Sequence, residues 1–195
     1  MSTADEEAKA KGEYYESPYI HTISGRFYLS RPSFDPRAIG HALGMLCRFN
    51  GNTRRFYSVA EHSVLVSDIM DKVVGGNPFE GLMHDAAVAY LSDIPTPFKR
   101  LLPDWKALER PVESSLREFF GLPLEKSGEC EIADKLALFL EAIHLIPEGG
   151  ADYKDPLNAR PSSLLMSQMP EWQLKCWGPE HAGMAWYRRF HALCA

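Results

Sequence analysis

Ser58-Val59-Ala60-Glu61-His62-Ser63-Val64-Leu65-Val66-Ser67-Asp68-Ile69-Met70-Asp71-Lys72-Val73-Val74 is the stretch that settles the fold class. Ser58 followed three residues on by Glu61 has the form of a capping box, in which a hydroxyl and a carboxylate satisfy the first free backbone N–H groups of a helix. Apolar residues recur at helical spacing, and Gly75-Gly76 ends the run, so a helix is predicted over 58–74.

Upstream, Asp35-Pro36 places an N-cap before a proline at the first helical position and opens a helix to about Arg48. Phe49 to Phe56 is polar and reads as a loop. Downstream, Asn77-Pro78 opens a helix over Phe79 to Leu91, and Pro95 and Pro97 impose an irregular stretch. Asp104 caps a helix toward Phe120, kinked or restarted at Pro111. Cys130 to Ile146 is an apolar-periodic helix ended by Pro147, residues 147–175 are loop-rich, and Pro179 opens a last helix through Leu193. Tyr19 to Ser30 reads as two short strands joined at Ser24-Gly25. The predicted fold is mainly α with a small N-terminal β-hairpin. A polar tail occupies 1–16, and one domain occupies 17–195.

Composition bounds the function. The chain has 195 residues, enough for one domain with a substantial core, and a formal net charge of -5. That balance argues against a nucleic-acid polymer as partner, because neutralising phosphates needs surplus positive charge. Small phosphorylated ligands need only a local basic cluster. No apolar run is long enough to cross a bilayer, and Met1 to Glu16 is too polar and acidic for a secretory signal. Cys47, Cys130, Cys176 and Cys194 are scattered without a Cys-x-x-Cys pair, which points to reduced thiols and a cytoplasmic protein. The seven histidines are the more promising metal ligands.

His84-Asp85 carries the first chemical signal. Side by side on a helix they point about 100° apart, and they can converge on one ion if other helices supply opposing ligands. Standing alone, the pair is as readily a partly buried histidine with a carboxylate partner. His62 lies one turn into the capped helix, and Asp134 lies among apolar residues in Ile132-Ala133-Asp134-Lys135-Leu136-Ala137. A carboxylate there needs a basic partner or a metal.

In order, His62, His84-Asp85 and Asp134 form a pattern that resembles the HD-domain metal phosphohydrolases. The flanks Tyr57 to Ser63, His84 to Lys99 with its Asp93-Ile94-Pro95-x-Pro97 element, Thr22-x-Ser24-Gly25-Arg26 and Leu46 to Gly51 resemble the branch containing bacterial 5'-deoxynucleotidases and phage dATP triphosphohydrolases. The resemblance covers roughly residues 20–195. It implies an HD-type helical bundle whose metal ligands are His62, His84, Asp85 and Asp134. The mixed nitrogen and oxygen set suits divalent Mn, Co, Zn, Fe, Ni or Mg without selecting one. It further implies that Arg48 contacts phosphate, that Phe49 packs on sugar or base, and that Asp93 organises the catalytic site. Lys99 is a further candidate phosphate contact, and Arg54 and Arg55 add local positive charge. The expected partner is a small nucleotide, with no membrane and a homo-oligomeric assembly that the aromatic C-terminal helix would suit.

One position departs from the pattern. The branch carries Glu four residues after the motif histidine, and here Val88 stands there. Another carboxylate, Asp93 or Glu61, takes over that part, or the metal alone drives a slower reaction, or the protein binds nucleotide without turning it over.

Overall fold

The structure is a computed structural model that describes residues 18–147 and 174–194. The expectations for the 1–16 tail, and most of those for 147–175, lie outside the described residues. Strands β1 (Tyr19–Thr22) and β2 (Gly25–Tyr28) pair antiparallel with Thr22 opposite Gly25. The hairpin loop is therefore Ile23-Ser24, one residue earlier than Ser24-Gly25. Thr22 closes it, its Oγ1 donating to the Gly25 carbonyl at 2.9 Å and accepting from the Ser24 N–H at 3.1 Å.

The helices are α1 (Pro36–Met45), α2 (Val59–Ile69), α3 (Pro78–Met83), α4 (Val88–Leu91), α5 (Thr96–Lys99), α6 (Pro103–Phe119), α7 (Gly128–Leu145) and α8 (Pro179–Cys194). The architecture is mainly α with the small N-terminal hairpin. Several predicted caps hold: the side chains of Asp35, Ser58 and Asn77 accept from Arg37, Glu61 and Phe79 N–H. Helix α2 runs on into a π turn over Met70–Val74, and Gly75 at φ +85° leaves it.

Three helices differ from expectation. Helix α1 stops at Met45 instead of near Arg48, because the next residues pair with the entry to α2: Val59 N–H donates to Leu46 O, and Arg48 N–H to Tyr57 O. Helix α6 starts at Pro103, so Asp104 lies in its first turn and Leu102 holds the cap position, and it runs through Pro111 without restarting. The single helix expected over 79–91 is broken at 84–87, where Ala86, Val88, Ala89 and Tyr90 donate to carbonyls three residues back. His84-Asp85 thus sits in a tightened turn between α3 and α4, not in mid-helix.

Helix α2 is the centre of the molecule and is buried on nearly every side, its polar residues Glu61, His62, Ser63 and Ser67 included, each of which is hydrogen-bonded. On one side lies the larger core, with Ile39, Leu43, Leu82, Met83, Leu116, Trp186 and Phe190. On another, Val66, Ile69 and Met70 pack on Cys130, Ala133, Leu136, Ala137 and Leu140 of α7. A close approach at Gly81 sets the site. A Cβ there would lie 2.8 Å from Met70 Sδ and 3.1 Å from Ser67 Cα, so only glycine lets α3 lie so near α2. Gly44 does the same between α1 and α8, where a Cβ would meet Pro179 O at 2.5 Å.

A buried ionic node ties three elements together. Arg117 of α6 donates to Glu80 of α3 at 2.6 Å, and Glu80 also accepts from Ser127 N–H and Oγ–H. Ser127 in turn accepts from Cys130 N–H at the start of α7.

Candidate metal centre

Four predicted ligands come together from α2, the 84–87 turn and α7. His62 Nε2 lies 3.2 Å from His84 Nε2, 3.3 Å from Asp134 Oδ1 and 3.6 Å from Asp85 Oδ2. His84 Nε2 lies 3.2 Å from Asp85 Oδ2 and 3.8 Å from Asp134 Oδ1. The donor atoms of His62, His84 and Asp85 all fall within 4.8 Å of one another. The imidazoles form a buried floor, and the carboxylates of Asp85 and Asp134, 29% and 34% exposed, form the mouth.

The donor chemistry fits a divalent cation. His84 Nδ1–H donates to Gly81 O at 2.8 Å, and His62 Nδ1–H donates to Glu141 Oε1 at 2.6 Å. Each ring therefore turns the lone pair of a neutral imidazole, at Nε2, toward the other and toward two carboxylates. Acceptors facing acceptors at this spacing need a shared cation or a proton. Two ligands each about 2.1 Å from a tetrahedral or octahedral ion sit roughly 3.0–3.4 Å apart, close to the spacings here.

Without a metal, the proton takes that place. Burial and the Arg48 guanidinium oppose charge on His62, but the Glu141 and Asp134 carboxylates outweigh them and push the imidazole up to about 9. Burial works against ionisation of Asp85, yet the two histidines hold its carboxyl well below the usual range. Asp134 is held low against burial by His62, His84 and Lys126.

Arg48 lies behind this cluster. Its Nη2 donates to Glu141 Oε2 at 3.0 Å, and its buried Nε has no hydrogen-bond partner among the described residues. The guanidinium lies over the Phe49 ring, 5.4 Å from its centroid. Phe49 and the following Asn50 both hold left-handed backbone, at φ +54° and +52°, strain of the kind that gathers at functional sites.

Asp93 makes no hydrogen bond or ion pair among the described residues. Burial and Asp85 push its carboxyl up, with Arg48 and Lys99 pulling it back. Lys99 is paired with Glu109 of α6 at 2.6 Å, so its ammonium is already engaged. Arg54 donates to the Pro147 carbonyl and ties its loop to the end of α7. Glu61 is committed elsewhere: it is 4% exposed, and its oxygens accept from Cys176 and Trp177 N–H at 2.8 Å each. Val88 is 6% exposed within the larger core. In a turn with three residues per cycle it is rotated about 120° from His84, not stacked beneath it.

Two residues of the site escaped the sequence reading. Glu141, fully buried, joins His62 to Arg48. It stands seven residues, two helical turns, after Asp134, so a second acid on the same face of an apolar helix was its signal. Lys126 donates to the outer oxygen of Asp134 at 2.9 Å. It precedes the helix in a polar loop and had no signal of its own.

Fold and site together define a mainly helical protein built around a cluster of two histidines and two carboxylates. No protein-family model matches the chain. Over 179 residues, 90% of this chain and 95% of the relative, it is 36% identical to the uncharacterized protein YfdR of Escherichia coli strain K12. It is also 31% identical over 153 residues to an uncharacterized protein of Rhodobacter capsulatus, covering 68% of this chain and 76% of that one. The chain belongs to the family of YfdR.

Proposed function

We propose that this protein is a metal-dependent phosphohydrolase of the HD type acting on deoxynucleotides. It converts a dNMP to deoxynucleoside and phosphate, or a dNTP such as dATP to deoxynucleoside and triphosphate. The observation that carries this reading is the convergence of His62, His84, Asp85 and Asp134 beside Arg48, whose buried Nε–H has no partner among the described residues. Those four residues would hold the ion. A bound divalent cation supplies Lewis acidity, which acidifies water and offsets charge on the phosphoryl group.

The remaining work falls to the chain's own residues. Arg48 presents an unsatisfied N–H to a phosphate oxygen, a charge-assisted contact. Phe49 offers a ring face to sugar or base. Asp93, raised by burial and free of partners among the described residues, handles the proton in place of a glutamate at position 88. In the reaction a water oxygen bonds to phosphorus and the bond from phosphorus to the 5' oxygen breaks. One proton leaves the water, and the departing 5' oxygen gains one.

Val88 supports a second reading, a nucleotide-binding protein with weakened turnover, because a buried valine has no group that can take a proton from water. Product chromatography across dNMPs and dNTPs with Mn, Co, Zn and Mg separates the two. Metal-dependent release of phosphate or triphosphate is expected. Binding by calorimetry without product under every metal would favour the second reading. Val88→Glu is expected to lower stability, through burial of a carboxyl, without raising turnover. A large rise from a near-zero base would mark a lost general base.

A further inference from the structure

Glu141 is a carboxylate with no exposed surface in the middle of an apolar helix. Such a group is costly unless both oxygens are satisfied by cations or strong donors. Its two oxygens have different principal partners: Oε1 takes His62 Nδ1–H at 2.6 Å and Oε2 takes Arg48 Nη2 at 3.0 Å, and the buried Tyr57 hydroxyl lies against the same carboxylate. Both partners have another polar atom left for the site. His62 has Nε2 among the ligand atoms, and Arg48 has its unpartnered Nε. The other fully enclosed acid-base node, Glu80 with Arg117 and Ser127, differs on this point. Its donors go to the Glu80 carboxylate and to the Pro123 and Glu125 carbonyls, and among the described residues neither partner is bonded to the cluster.

We infer that Glu141 is a positioning residue shared by two functions. Its one carboxylate fixes the tautomer and ring plane of the metal ligand His62 and also aims the anion-binding guanidinium of Arg48. The sequence separation makes this strict. Arg48 and His62 come from opposite sides of the 49–57 loop, and Glu141 comes from a helix about eighty residues further on. Any rotation of the Glu141 carboxylate moves both partners together. Loss of Glu141 therefore weakens cation binding and oxyanion binding at once, although Glu141 touches neither.

The inference rests on the metal-centre reading, and the test separates the two. Chelator-stripped protein is titrated with manganese by calorimetry. Inorganic phosphate is then titrated at saturating manganese. The proteins compared are the unmodified chain, the near-isosteric Glu141→Gln and the equally buried Glu80→Gln. Glu141→Gln is expected to lose about 10–100-fold in manganese affinity, the usual effect of an outer partner, and to lose phosphate affinity as well. Glu80→Gln is expected to change neither, although it lowers thermal stability. Manganese bound equally by the unmodified chain and Glu141→Gln overturns the inference and leaves the metal centre standing. No manganese bound by the unmodified chain overturns both. Should Glu141→Gln not fold, proton NMR of the metal-free unmodified chain decides. A far-downfield, slowly exchanging His62 Nδ1 proton is expected, and its absence overturns the inference.

Discussion

The two buried acid nodes make the instructive comparison. Glu80 and Glu141 each sit almost wholly inside the protein, and each pairs with an arginine. Around Glu80 the hydrogen bonds form a closed set. Arg117 reaches Glu80 and the carbonyls of Pro123 and Glu125, and Ser127 passes the connection on to the start of α7. Around Glu141 the set is open on one side, because His62 keeps Nε2 among the ligand atoms and Arg48 keeps a buried Nε with no hydrogen-bond partner among the described residues. A closed node stabilises the fold and fixes where α3 and α7 stand. An open node gives up some stability to hold groups ready for something that arrives later.

The comparison breaks most visibly through stability. Glu80→Ala leaves Arg117 buried and unpaired, which should cost about 3–5 kcal/mol in urea unfolding while the metal affinity of the folded protein stays unchanged. A loss of metal affinity as large as the loss of stability would merge the two nodes into one. Next in size, His84→Ala should weaken divalent-ion binding by more than about 100-fold, beyond what an outer partner contributes, with only a modest change in melting temperature. An unchanged affinity would remove His84 from the ligand set.

Acidity sharpens the contrast further. His62 is raised from 6.5 to about 9 in the metal-free fold. Its protonation therefore stabilises that fold fully below pH 6.5, and the contribution is lost as pH rises through about 9. A cation must displace the same proton, so apparent metal affinity should climb about tenfold per pH unit across that window and level off above it. A flat profile would mean that no proton leaves His62. Last and smallest, Lys99→Ala should change stability by less than about 1 kcal/mol, since its partly exposed pair with Glu109 belongs to neither node.

Much of this was legible in the residues. Capping side chains marked Asp35, Ser58 and Asn77, and the family resemblance carried by His62, His84-Asp85 and Asp134 singled out four candidate ligands that the fold does bring together. What sequence left open came from long-range contacts. The break at 84–87 comes directly after the close approach of α3 to α2 at Gly81, a long-range contact that a helical pattern alone does not register. Glu61 had the capping-box position, yet its carboxylate turns to the Cys176 and Trp177 N–H groups, far along the chain. Glu141 lay within reach of a face argument that paired it with Asp134. Lys126 and the Arg117–Glu80 pair depend on loops whose course only the folded chain defines.

The central claim is that four side chains hold one divalent cation. It is tested most directly by calorimetric titration of chelator-stripped protein with manganese, alongside Asp85→Asn and Asp134→Asn. One ion per chain is expected, with affinity sharply reduced in both variants. No binding, or binding that neither substitution disturbs, would contradict it.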